Sequence, residues 1–266
     1  MEVVTPTLPV EPLVLVTLAS TQGSAPRDAG AWMAVGKSAA TGTIGGGHVE
    51  FEAIAHARVL LAQTGGSPPE ERAYALGPTL GQCCGGVMRL RYERIAAADI
   101  PALRQRLAPR LAPLALFGGG HVGKALVTVF ATLPFSVQWI DSRDEIFPSG
   151  LPPQVQCEHS DPVHAAVASL VPGSCVLIMS FSHAQDLDIL AACLTRLRAQ
   201  ADLPYIGLIG SATKWAAFRH RLEARGFTPE ELARVTCPIG LPGISGKEPE
   251  VIAVSVAAQI LQTIHH

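Results

Sequence analysis

The chain has 266 residues, a formal net charge of −2 and 48 % hydrophobic residues. That length and hydrophobic content suit one large domain or two ordinary ones, with a core that needs neither metal nor disulfide to hold it. The charge excludes nucleic acid as the main partner, because neutralising phosphates requires a basic face, although backbone N–H groups can still bind a small anion locally.

The N-terminus, Met1-Glu2-Val3-Val4, lacks the basic start and long apolar stretch of a secretory signal. No uncharged apolar run approaches the ~20 residues of a membrane span, so a membrane partner is not expected. Six cysteines (Cys83, Cys84, Cys157, Cys175, Cys193 and Cys237) show no framework spacing, which points to a reducing cytoplasm.

The first segment with chemical character is Gly42-Thr43-Ile44-Gly45-Gly46-Gly47-His48-Val49-Glu50, leading into a predicted helix from about His48 to Ala62. Three glycines at a helix start offer a nest of N–H groups for an anion, or simply a tight turn that needs positive φ. On that helix Phe51, Ile54, Ala55 and Leu61 are predicted to share one broad apolar face, interrupted by Arg58. Next comes Gly81-Gln82-Cys83-Cys84-Gly85-Gly86, entering a strand in which Met88, Leu90 and Tyr92 share a face. Vicinal cysteines make poor zinc ligands, since both sulfurs must reach one ion. Their flanking glycines suggest a closely approached loop with a thiol available to a ligand or partner; a small buried hydrophobe is the alternative.

Residues 95–113 carry Pro101, Pro109 and Pro113 around Arg104-Gln105-Arg106, and read as a linker with one short helix between domains 1–94 and 114–266. Beyond it, short apolar runs (Leu114 to Phe117, Val137 to Ile140, Cys175 to Ser180, Tyr205 to Ile209) alternate with helical stretches, the pattern of a parallel sheet buried on both faces. The first run enters Gly118-Gly119-Gly120-His121-Val122-Gly123, a G-x-G-x-x-G between strand and helix. Gly118 makes the tight turn, Gly120 admits a diphosphate, and Gly123 lets helix and strand pack closely; the helix N-terminus favours the anion. Asp141, 18 residues beyond Gly123, ends the second strand, where an acidic residue meets a ribose hydroxyl. Arg143 either recognises an extra phosphate or is a solvated loop residue.

Ligands of open α/β sheets bind beyond the carboxyl ends of the strands. The loop Ser180-Phe181-Ser182-His183-Ala184-Gln185-Asp186 therefore faces the same crevice, with His183 and Asp186 as site candidates and an N-cap role for Asp186 as the alternative. Gly210-Ser211-Ala212-Thr213-Lys214 is a similar turn, whose Lys214 either meets a phosphate or is solvated. Asp161-Pro162 and Thr228-Pro229 each place an N-cap before a helical proline. Gly226 closes a helix from about Ala212, and a last helix runs from about Glu248 to Ile264. The expected fold is α/β: a C-terminal Rossmann-like parallel sheet domain preceded by a smaller α+β N-terminal domain. On these residues alone NAD or NADP and another phosphorylated ligand stand level.

Taken together, the segments resemble the XdhC/CoxI family, the accessory proteins of xanthine dehydrogenase and related molybdenum hydroxylases. Gly42 to Gly47 with Glu50, Gly81 to Gly86, Gly118 to Gly123, Asp141-Ser142-Arg143, Ile209-Gly210-Ser211 with Lys214, and Cys237-Pro238-Ile239-Gly240-Leu241 occur in the family's order over nearly the whole chain. The ending, which continues through Pro242-Gly243-Ile244 to Gly246-Lys247-Glu248-Pro249, resembles the proteobacterial xanthine dehydrogenase branch. Ser182-His183-Ala184-Gln185-Asp186 departs from the Thr-His-Asp-His type of many relatives.

The resemblance implies a cytoplasmic chaperone without turnover of its own. It would hold the molybdenum cofactor while a cysteine desulfurase supplies the sulfido ligand, then pass it to the molybdenum-binding subunit of xanthine dehydrogenase. Candidate cofactor-binding residues are Gly45, Gly46, Gly47, Glu50, Gln82, Cys83, Cys84, Gly118, Gly120, His121, Gly123, Asp141, Arg143, His183, Ser211 and Lys214. Thiolate suits soft metal centres, so Cys83 or Cys84 would contact molybdenum or pass sulfur. A homodimer is expected on frequency alone. The rival readings are an NAD(P)-dependent oxidoreductase using the glycine turn and Asp141, and a scaffold whose Rossmann-like domain binds nothing.

Overall fold

A strand can bury consecutive residues only when both faces of its sheet are covered, and the first strand does so. In the computed structural model, which describes residues 8–63, 68–76 and 86–264, β1 (Leu13–Gln22) opens with four buried residues. Val14, Val16 and Leu18 pack with Met33, Leu90 and Tyr92, while Leu13 and Leu15 turn to Leu8, Ile100 and Leu103 on the other side. With β2 (Trp32–Val35), β3 (Ala40–Gly42), β4 (Glu70–Ala75) and β5 (Val87–Ile95) it forms an antiparallel sheet of order β3-β2-β1-β5-β4. Along β5 the predicted alternation is present: Met88, Leu90 and Tyr92 are buried, Arg89 and Arg91 exposed.

Helix α1 (Gly47–Ala62) lies on this sheet through Val49, Ala53, Ala57 and Leu60. That corrects the face expected from hydrophobicity. Phe51 is 71 % exposed, Ala55 is exposed, and Ile54 and Leu61 stay at the margin. A helix close to a sheet needs small side chains at the contact, and hydrophobicity ranks Phe51 above Ala53. The stretch after β5 carries α2 (Ile100–Leu107), with Pro101 in its first turn and Ile100 and Leu103 buried. The chain divides into two compact units between Ala108 and Pro109.

In the second unit β6 (Ala112–Phe117), β7 (Phe135–Asp141), β8 (Val155–His159), β9 (Cys175–Ile178), β10 (Tyr205–Leu208) and β11 (Val235–Thr236) are all parallel, in the order β11-β10-β9-β6-β7-β8. Ala115 and Phe117 of β6 face one side, with Leu190, Phe218 and Leu222; Leu114 and Leu116 face the other, with Leu126, Phe130, Val256 and Ile260. The first layer is thus α4 (His183–Gln200) and α5 (Ala212–Ala224), the second α3 (His121–Phe130) and α7 (Pro249–Ile264). The short α6 (Pro229–Leu232) begins with a full capping box between Thr228 and Glu231. Asp161-Pro162 makes no comparable start: its peptide is cis, and Pro162 precedes a 3-10 segment, Val163–Ser169. β8 and β11 escape the apolar-run criterion, because β8 is an edge strand with exposed Gln156 and Cys157 and β11 has two residues. The chain reverses its direction of travel across the sheet between β6 and β9, which makes their carboxyl ends the switch point where ligands bind in such sheets.

Candidate functional site

At the switch point the three motif glycines have separate physical jobs. Gly118 has φ +120, and a Cβ there would lie 2.0 Å from the Met179 carbonyl oxygen. A Cβ on Gly123 would lie 2.1 Å from the Gly118 carbonyl oxygen, which also accepts the Trp139 indole N–H at 3.0 Å. In front of Gly120, the N-cap of α3, the space is open for 4 Å around the Cβ position. The N–H groups of His121, Val122 and Gly123 belong to the first helical turn and have no intrahelical acceptor, and His121 itself is exposed. A phosphate-sized anion has donors, a favourable helix end and room there.

Asp141 sits at the end of β7 with 2 % exposure, and its carboxylate is fully engaged. It accepts from the Gly119 N–H at 2.6 Å, from the Arg143 N–H at 2.9 Å, and from Arg143 Nε and Nη2 at 2.9 Å each. Burial works to raise its pKa, but the Arg143 guanidinium and the two backbone donors outweigh it and hold the carboxyl below the usual carboxylate range. The guanidinium in turn lies over the ring of Phe181, 4.6 Å from its centroid. The acidic residue at the ribose position is therefore the anchor of an arginine.

The loop after β9 is fastened at both ends. The Ser180 N–H and Oγ donate to Asp186 Oδ1 at 2.8 and 2.6 Å, and Ser182 Oγ caps α4 by accepting from the Gln185 N–H. The N-cap is thus Ser182, while Asp186 is buried and paired with Lys214, Nζ to Oδ2 2.7 Å. Lys214 Nζ also donates to the Ile209 carbonyl, so its ammonium is committed inside the protein. Ser211 caps α5 by accepting from the Lys214 N–H at 3.2 Å. His183 is exposed and meets the Phe218 ring edge-on at 6.2 Å.

In the first unit the glycine nest exists, and the chain fills it. Glu50 Oε2 accepts from Thr43 Oγ1 at 2.5 Å and from the Ile44 and Gly46 N–H groups at 3.0 Å each. Gly45, Gly46 and Gly47 all have positive φ, the conformation that turns those donors toward one point. The expected external anion is met from within, because a carboxylate four residues past Gly46 reaches back to the helix start. Burial raises the Glu50 pKa, yet the Thr43 hydroxyl and the Gly46, Ile44 and Gly45 N–H groups together lower it below its ordinary value of 4.5. The Glu50→Gln variant is expected to lose about 1 kcal/mol, the donors being partly solvated. A carboxyl with a lowered folded pKa stabilises above its unfolded pKa and loses that contribution as pH falls through the folded value. The gap between the two proteins in urea midpoints should therefore persist above about pH 4.5 and close below it.

Gln82, Cys83 and Cys84 lie outside the described residues. The four described cysteines are free; burial pushes the Cys175 and Cys193 thiols up to about 11 and about 12, and Cys237, just after β11, is half-buried near the Gly210 carbonyl. Among the described residues no group of three or more His, Cys, Asp and Glu is placed to hold a metal ion, and no helix is long and apolar enough to cross a membrane. Phe181 and Gln185, two residues of this crevice, are not among the sequence candidates; their only sequence signal is their position in a loop after an apolar run.

Residues 114–260 match the family described as the XdhC Rossmann domain, and residues 9–71 match the XdhC and CoxI family. The chain belongs to the XdhC family. Among curated proteins it is similar to the uncharacterized protein YqeB of Escherichia coli strain K12, 29 % identical over 255 residues, covering 94 % of this chain and 43 % of that protein. It therefore spans less than half the length of that relative. Among solved structures it resembles one from Bacillus halodurans described as a xanthine dehydrogenase, with TM-score 0.77 and 21 % identity over 96 % of this chain and 92 % of that one. That likeness establishes the fold: an α/β protein with a parallel Rossmann-like sheet in its C-terminal part and an antiparallel sheet before it.

Proposed function

We propose that this chain binds the molybdenum cofactor through the phosphate of its pterin, shelters it during sulfuration and hands it to a xanthine dehydrogenase-type enzyme. The observation that carries the reading is a contrast at the switch point. The cradle at the start of α3 is open, whereas the carboxylate that a dinucleotide's ribose would need is bonded to Gly119 and Arg143. A phosphorylated ligand without a ribose at that position suits this arrangement better than NAD(P). Membership of the XdhC family supports the client assignment.

The residues fit the cargo's phosphate end. His121, Val122 and Gly123 supply N–H donors, Gly120 keeps the approach clear, and Gly118 and Gly123 hold strand and helix close enough to aim those donors. The cofactor, once delivered, supplies the metal centre of the client's hydroxylation. The chain's own contribution is to bind and orient, without turnover. A cysteine desulfurase and the client's molybdenum-binding subunit are the proposed partners, in the cytoplasm, with a homodimer as the working form.

The test is co-purification from cells that make the cofactor, assaying molybdenum and released pterin per chain for the wild type and Gly120→Asp. An aspartate at this N-cap would satisfy the helix start with its own carboxylate, leaving stability unchanged or raised by about 0.5 kcal/mol. Near-stoichiometric pterin in the wild type, reduced at least about tenfold in a variant with an undiminished melting temperature, is the expected result. Pterin-free protein that binds NAD(P) tightly would replace the proposal with the oxidoreductase.

A further inference from the structure

Phe181 is 67 % exposed, on the loop that joins β9 to α4 at the switch point. A single exposed phenylalanine is ordinary on a protein surface. This one differs in how it is held. Its two neighbours are fixed, Ser180 by Asp186 and Ser182 by its capping bond, so the ring stands on a rigid stretch of backbone. Beneath one face lies the Arg143 guanidinium, itself clamped by two bonds to Asp141. Asp141 is clamped by the N–H of Gly119, the middle glycine of the turn. Four groups in series (Gly119, Asp141, Arg143, Phe181) thus tie the attitude of an exposed aromatic ring to the phosphate cradle. The loop is also adjacent to that cradle directly, since the Met179 carbonyl and the Ser180 N–H are the backbone atoms that crowd Gly118.

The first turn of α4, just after this loop, carries an acceptor without a donor. Gln185 Nε2 donates to Ser142 Oγ at 2.8 Å, but Gln185 Oε1 is buried with no hydrogen-bond partner. Turning the amide over only exchanges one unpaired atom for another. A buried acceptor without a donor costs free energy, and a turn of the Gln185 side chain toward the crevice would offer it to a ligand N–H.

We propose that Phe181, backed by Arg143, is the stacking platform for a flat, nitrogen-rich ring whose phosphate sits at the start of α3, with Gln185 Oε1 accepting from an amine or ring N–H of that ring. The ligand class is a phosphorylated bicyclic nitrogen heterocycle, which a pterin and a purine nucleotide share. The inference rests on the phosphate reading above and adds the residues that hold the ring. In this arrangement Asp141 and Arg143 are positioning residues: they fix the platform and do not touch the ribose or an extra phosphate.

The experiment measures binding to the full chain of three probes: molybdenum cofactor freed from a denatured molybdenum hydroxylase under argon, ADP, and inorganic phosphate. Wild type, Phe181→Ala and Phe181→Tyr are compared. Stacking on an aromatic side chain is worth roughly 5- to 150-fold in affinity on alanine substitution. The expected result is a loss of that size for the freed cofactor in Phe181→Ala, recovery to within about threefold in Phe181→Tyr, and equal inorganic phosphate binding in all three. The equal phosphate binding also shows that the alanine variant is folded. Cofactor binding that is the same in Phe181→Ala and wild type would overturn the platform and leave the cofactor reading standing. ADP binding that depends on Phe181, with no binding of the freed cofactor, would uphold the platform and overturn the cofactor reading. Phosphate bound with neither ring-bearing probe would overturn the platform.

Discussion

Replacing Gly118 with alanine should remove at least about 3 kcal/mol of stability from the C-terminal unit and, given the usual margin of roughly 5–15 kcal/mol, leave it poorly folded at growth temperature. Two costs add. Backbone at φ +120 is strained for any residue with a Cβ, by about 1–3 kcal/mol. The new methyl would also stand 2.0 Å from the Met179 carbonyl oxygen, less than any packed pair of atoms allows. Neither side can give way cheaply, because both belong to bonded strand ends: the Gly118 N–H donates to the Ile140 carbonyl at 2.8 Å and the Met179 N–H to the Phe117 carbonyl at 2.9 Å. Urea unfolding followed by far-ultraviolet circular dichroism checks this. The control is Gly120→Ala two residues on, where the space is open and φ is −70; its expected cost is at most about 1 kcal/mol, from the weaker capping of alanine. Equal, small effects at both positions would mean that the turn is not built as described.

The second large effect is expected at Lys214. Its ammonium and the Asp186 carboxylate are 12 % and 3 % exposed and 2.7 Å apart, and Asp186 has Ser180 as its remaining donor. Lys214→Met keeps the side-chain volume but leaves a buried carboxylate without its cation, which costs about 3–5 kcal/mol. Adding Asp186→Asn should return more than half of that loss. The amide is neutral, and its carbonyl oxygen can still accept from Ser180. A double-mutant cycle in urea measures the coupling directly. Additive effects of the two substitutions would show that the pair is not coupled in solution. If Lys214 served mainly as a phosphate contact, Lys214→Met would instead leave stability intact and weaken ligand binding.

These two predictions show where sequence reading and structure divide the work. The glycine turn was legible because its requirement is local. Strand, turn and helix follow one another within a dozen residues, and each glycine answers to sterics within that span or to the strand beside it. The parallel sheet was legible for a similar reason, since Leu114 to Phe117 and Tyr205 to Leu208 are uninterrupted apolar runs that only a doubly covered sheet buries. The buried face of α1 was not, because closeness of approach favoured Ala53 and Ala57 over Phe51.

The partners of charged side chains lay further out of reach. From the sequence Asp141 reads as a ribose contact, Arg143 and Lys214 as phosphate contacts or solvated residues, and Asp186 as a site residue or an N-cap; the fold turns each toward another protein group. The glycine nest was legible, but Glu50 read only as a cofactor-binding candidate beside it, and the fold makes its carboxylate the occupant. By itself the sequence determined the α/β class, the glycine turn and the family resemblance, because backbone geometry and apolar periodicity are encoded in neighbouring residues. Only the tertiary structure decided which donors and carboxylates remain free for a ligand. A charge pairs with whatever the fold brings within hydrogen-bond reach, and for Lys214 that partner is Asp186, 28 residues away along the chain.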